Sequence, residues 1–201
     1  MIEITLTDFV DFVSKAGTPK LTVVKNVKQH HIDGYDPQTD FYRAIRKGII
    51  QMHQRNQPKD ALDDLLNGLT DKKKQTAYPA LVAGYKKFLG KKSYVWFKPP
   101  THKWQHAGVS ISVNPEVGLE FDGVRHVFKL YFKAENLKKV QMDVVTHLMT
   151  NFLPKPQNKV TSFDVLDIRK AKLIPGHATI PALTALLEGE AASLAQIYNS
   201  L

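Results

Sequence analysis

Residues 116–133 read EVGLEFDGVRHVFKLYFK, and the pairing of this stretch decides the fold. Asp122-Gly123 separates two alternating runs. A two-residue hairpin turn demands positive φ at both central positions, and Asp and Gly tolerate it. With the turn centred there, Phe121 faces Val124, Glu120 faces Arg125, Leu119 faces His126, Val117 faces Phe128 and Glu116 faces Lys129. Side chains alternate between faces along a strand. One face then carries Val117, Leu119, Phe121, Val124, Phe128, Leu130 and Phe132. The other carries Glu116, Glu120, Arg125, Lys129, Tyr131 and Lys133. A slip of one residue mixes apolar and ionised side chains, so this register is preferred. Each glutamate lies opposite a cation, which predicts two cross-strand ion pairs on a solvated face, worth about 0.2–1 kcal/mol each. His126 is expected on the apolar side, hydrogen-bonded within the core.

Upstream of the hairpin the hydrophobic period is helical. Helices are expected over 8–15, over 40–55 with Thr39 as its cap, over 59–67, and over 76–89 with Pro79 in the first turn. The β-branched run 21–27 reads as extended, and 30–37 as a turn-rich loop. The period then shortens to two. Strands are expected over 93–98 and 109–113, with a bend at Pro115 before the hairpin. A helix capped by Asn136 runs to residue 152, and 160–173 reads as a last strand. Thr179 and Pro181 open a final helix, whose Leu183, Leu186, Leu187, Leu194 and Ile197 should pack back. The order from 76 to 169 is αβββαβ, in which a helical crossover returns the last strand parallel to a neighbour. The predicted class is α+β: an N-terminal helical layer, a core with a mainly antiparallel sheet, and a C-terminal helix. The expected division is 1–75, an N-terminal helical region that could form a subdomain, and 76–201, the core with its C-terminal helix.

At 201 residues the chain is long enough for a sizeable core of its own. It contains no cysteine, which removes disulfides, thiolate metal sites and cysteine nucleophiles, and fits a cytoplasmic location. No apolar stretch is long enough to span a membrane, and the acidic start MIEITLTDFVDF is unlike a secretory signal. The formal charge of +9 is unevenly placed: residues 41–100 hold thirteen Lys and Arg against four acids, and residues 1–40 are net negative. A basic field concentrated on one region attracts polyanions. The candidate nucleic-acid-binding residues are therefore Arg43, Arg46, Lys47, Lys72, Lys73, Lys74, Lys86, Lys87, Lys91 and Lys92. Trp104, in a Pro-rich stretch, is expected to be an exposed aromatic for base stacking. The partner implied is nucleic acid, DNA or RNA, and the protein itself is expected to be non-catalytic or catalytically degenerate.

The αβββαβ order, with acids on one strand of the hairpin and a lysine on the next, resembles the PD-(D/E)XK or restriction-endonuclease-like superfamily in a degenerate form. The resemblance covers less than half the chain. It implies a nuclease in which Glu116 or Glu120 is the first acid, Lys129 the catalytic lysine, and Mg²⁺ the cofactor that activates water. The second acid of that motif falls on Val127, so one hard oxygen ligand is missing. The resemblance implies an inactive relative, or a site rebuilt from Glu116, Glu120 and an acid elsewhere, such as Asp143. Eight histidines do not form a zinc pattern, and no resident metal is expected. A third reading is a protein-interaction module that pairs with itself or another protein through Ala191, Ala192, Leu194, Ala195 and Ile197.

Overall fold

In the computed structural model, which describes residues 1–34, 40–176 and 180–201, the hairpin forms in the expected register. Asp122 and Gly123 take φ of 51° and 74°, the positive values such a turn requires. In chain order the described elements are β1 (Ile2–Thr5), α1 (Leu6–Val13), α2 (Pro19–Asp33), α3 (Arg43–Gln54), a 3-10 helix (Lys59–Leu66), α4 (Lys72–Leu89), β2 (Val95–Phe97) and β3 (His102–His106). There follow β4 (Val109–Val113), β5 (Val117–Phe121), β6 (Val124–Tyr131), α5 (Lys139–Phe152), β7 (Thr161–Asp167), β8 (Lys172–Pro175) and α6 (Pro181–Ser200). The fold is α+β with a C-terminal helix.

The strands form two sheets. The larger has the order β2-β5-β6-β7-β8, and the smaller β1-β4-β3. In the larger sheet only β6 and β7 are parallel, joined through α5 as the crossover. The β3-β4 hairpin leaves this sheet and pairs with β1 in the other.

Both faces of the larger sheet are covered, which corrects the expectation of a solvated face. Val117, Leu119, Phe128, Leu130, Leu166 and Ile168 pack under α3, the 3-10 helix and α4. Val127, Phe163 and Val165 face the other way, into a core built with α1, α2, α5, α6 and the smaller sheet. Val127 is 1% exposed, and Tyr131 is packed against that second core. A strand covered on both faces loses the alternation that reports solvent. The first layer sits close to the sheet at Gly84, where a Cβ would come within 2.0 Å of the Ile168 carbonyl oxygen.

Several local expectations are corrected. Residues 21–27 belong to α2: Pro19 occupies its first turn, and Val24 and Val27, one turn apart, are buried. Packing of that stripe overrides the β-branched preference. α4 starts at Lys72, because Asp71 accepts from the Lys73 and Lys74 backbone amides, so Pro79 lies within the helix on its exposed side. The 160–173 stretch is two strands, turned at Ala171 with φ of 50°. α5 begins at Lys139, and the Asn136 side chain instead accepts from Lys170. The cap roles of Thr39 and Thr179, and the 35–37 end of the predicted loop, lie outside the described residues.

Trp104 is not an exposed aromatic. It sits on β3, opposite Ile111, is 5% exposed, and packs with its ring centroid 5.8 Å from both Phe9 and Phe152. The turn that makes β3 a strand uses positive φ at Ala107 and Gly108, and alanine gives no sequence signal for it. In α6, Ala191, Leu194 and Ala195 are buried in the chain's own second core. Among the described residues, no helix is long and apolar enough to cross a membrane.

Candidate nucleic-acid interface

Glu116 is the centre of a structural node. β5 begins at Val117, so beyond that point β6 has no strand partner on this side. The Glu116 carboxylate takes the strand's place: Oε2 accepts from the Leu130 backbone amide at 2.9 Å, and Oε1 from Lys129 Nζ at 2.6 Å. Arg46 of α3 approaches to 3.8 Å with its Nε, while its Nη1 donates to Asp40 at 2.8 Å. The Glu116 side chain is 8% exposed and that of Lys129 14%. A carboxylate this enclosed is tolerable because backbone and side-chain donors surround it.

Glu120 does not join this node. Four residues of strand span about 13 Å, and Glu120 accepts from Lys159 instead, at 2.7 and 2.8 Å. Its register partner Arg125 turns away, and the guanidinium lies 3.8 Å from the centroid of the Phe97 ring. Asp143 is held by Lys139 at 2.5 Å. Of the catalytic set implied by the resemblance, the structure brings together Glu116 and Lys129 only. Among the described residues, no three His, Asp or Glu side chains converge to hold a metal ion.

The basic helical layer divides into used and unused charge. Lys86 is held by Asp60 and Asp63, each at 2.7 Å, and these hydrogen bonds raise its ammonium above the ordinary range. Arg46 belongs to the Glu116 node. Lys92 donates to the Phe88 carbonyl at 2.6 Å and lies over that ring. Arg43, Lys47, Lys72, Lys73, Lys87 and Lys91 are exposed and Lys74 half-buried, and none forms an ion pair with a carboxylate among the described residues. Lys87 lies in the last turn of α4, where a cation complements the helix dipole. Lys72, Lys73 and Lys74 occupy the first turn, where the same dipole opposes them, and only the Asp71 cap offsets it. Helix stability gives no reason for that triplet.

A pair between a half-buried histidine and a buried aspartate escaped sequence reading. His126 is on the apolar face as expected, with its ring stacked on Phe121 at 4.2 Å between centroids. Its partner is Asp164, fully buried on β7, whose Oδ2 lies 2.7 Å from His126 Nδ1. Ser162 donates to the other carboxylate oxygen at 2.6 Å. The pair is separated by 38 residues and joined only by the parallel β6-β7 register, which the hairpin does not predict. His53 of α3 lies 2.7 Å from the Tyr85 hydroxyl, and burial lowers its pKa to about 4. The neutral ring therefore accepts from Tyr85, whose own hydroxyl is held well above its usual pKa by burial.

No protein-family model matches this sequence, and no curated protein matches it.

Proposed function

We propose that the chain is a non-catalytic nucleic-acid-binding protein that holds the phosphate backbone on its α3–α4 layer without strong sequence choice. The observation that carries this reading is the Lys72, Lys73 and Lys74 triplet, gathered in a helix turn whose dipole opposes it and without a carboxylate partner among the described residues. Clustered cations without a stabilising role in the fold are the electrostatic footprint of a polyanion site. Arg43 and Lys47 on α3, and Lys87 and Lys91 at the far end of α4, extend the charge along a helix about 27 Å long, enough to follow several phosphates. Glu116, Lys129 and Arg46 serve the fold in this reading.

The test is binding of duplex and single-stranded oligonucleotides over a salt series. Log K should fall with log salt by about 0.9 for each phosphate neutralised on a duplex. Changing Lys72, Lys73 and Lys74 together to Gln should lower affinity on all sequences alike and reduce the slope by up to about 3. Absence of binding to either form at low salt removes the reading.

A further inference from the structure

We propose that a cleft on the opposite face of the larger sheet from α4 is a seat for a phosphomonoester, the terminal phosphate of a nucleotide or of an oligonucleotide end. The cleft has a volume of about 290 Å³ and lies between the end of β2, the start of β6, the start of β7 and the loop after α5. This is near the lower size limit of small-molecule sites. Three cations line it, Lys98, Arg125 and Lys155, and among the described residues no carboxylate does.

The site is built around Arg125. Gly118 on β5 has no side chain, and a Cβ there would come within 2.6 Å of the Phe97 ring and the Phe97 carbonyl oxygen. Phe97 therefore lies down on the sheet at Gly118. The Arg125 guanidinium stacks on that ring at 3.8 Å, an arrangement that fixes the planar fork. Its one cross-strand acid, Glu120, is engaged by Lys159. The Arg125 Nε is buried and has no hydrogen-bond partner among the described residues. Among the described residues the Arg125 guanidinium makes no hydrogen bond and no ion pair with a carboxylate, so its fork is not spent within the fold.

The charge selects the ligand. Three cations in one cleft repel one another unless an anion is present, and a monoanionic diester neutralises only one of them. A phosphomonoester carries about −1.5 to −2 at neutral pH and presents three acceptor oxygens, which suit a guanidinium fork and two ammonium groups. Pro100, Pro154 and Val127 supply an apolar wall for the organic part of the ligand. This site uses none of the α3–α4 lysines, so it does not depend on the backbone-binding reading.

The experiment is calorimetric titration of the full chain with adenosine 5′-monophosphate, adenosine and inorganic phosphate. The expected result is binding of the monophosphate, competition by inorganic phosphate, and no binding of adenosine. Arg125→Lys keeps the charge and loses the fork, and should weaken the monophosphate at least tenfold. Lys98→Ala and Lys155→Ala should each weaken it several-fold. The Lys72, Lys73 and Lys74 to Gln variant should leave it unchanged, whatever that variant does to oligonucleotide binding. Competition by a 5′-phosphorylated oligonucleotide but not by its 5′-hydroxyl twin assigns the ligand to a chain end; competition by neither assigns it to the free nucleotide. Either result sustains the seat. Equal binding of adenosine and its monophosphate, no binding of the monophosphate, or an Arg125→Lys variant that melts normally and binds as tightly as the parent overturns it.

Discussion

Glu120 lies on β5 with Arg125 opposite it in register, and Glu116 sits just before that strand with Lys129 beside its carboxylate. They end in different chemistry. At 116 the neighbouring strand runs out, so a bare backbone amide, an opposite lysine and an arginine from α3 all converge on one carboxylate. At 120 the carboxylate is claimed by Lys159 from the β7 side, and the opposite arginine goes to an aromatic ring. Register decides which backbones meet. What else reaches the spot decides which side chains bond, and whether charge there serves the fold or remains for a ligand.

Removing the first carboxylate should have the largest effect. Glu116→Ala leaves Lys129 and the Leu130 amide without their acceptor in a poorly solvated place, and should destabilise the fold by about 3–4 kcal/mol in chemical denaturation. Glu116→Gln should recover part of that, since its amide oxygen can still accept from Leu130. A loss below about 1 kcal/mol for the alanine variant would erase the distinction between the two sites.

The layer that supplies Arg46 can also be loosened by acid. His53 is on the same helix, and burial depresses its pKa to about 4 from the ordinary 6.5. A depressed histidine contributes stability that is present in full above its unfolded pKa. That contribution is lost as pH falls from about 6.5 toward about 4, because the unfolded chain takes up the proton first. The shift corresponds to up to about 3 kcal/mol. His147 on α5 is depressed by burial in the same direction, so it adds to the slope from the other side of the sheet. Denaturation midpoints between about pH 7 and about pH 4.5 should fall steeply in the parent and less steeply in His53→Leu. An identical slope in the two places the titration elsewhere.

How much of this was legible follows the reach of each signal. The hairpin register, the helical crossover and the final helix could be read because Asp122-Gly123 and the hydrophobic periods are local. The smaller sheet could not. Its turn is Ala107-Gly108, and its first strand pairs with residues more than a hundred positions away. The same limit applies to the site. Glu116 with Lys129 was readable from one turn. Lys159 on Glu120, Phe97 under Arg125 and Asp164 beside His126 each come from a strand or loop outside that hairpin. Trp104 was misplaced because a Pro-rich approach conceals a strand.

At the 120 end the sharpest probe is the glycine under the ring. Gly118→Ala forces Phe97 off the sheet, since neither the ring nor the backbone carbonyl behind it leaves space for a methyl group. The stability loss should be about 1–3 kcal/mol, the usual range for overpacking. The Arg125 stack should move with Phe97, so monophosphate affinity should drop in the same variant. Affinity unchanged despite the loss of stability separates the ring from the role of Arg125.

The smallest effect is expected at Glu120 itself. Its side chain is 30% exposed and that of Lys159 49%, so their ion pair is a surface one. Glu120→Ala should change stability by less than about 1 kcal/mol, and less still at high salt. It removes the acid opposite Arg125 in the β5–β6 register, so affinity for the monophosphate should rise as stability stays level. At Glu116 the same substitution lowers stability by several times more and has no route to the cleft. A Glu120→Ala variant that unfolds as readily as Glu116→Ala would mean that both ends of β5 hold the fold in the same way, with Arg125 relying on Glu120 rather than on Phe97.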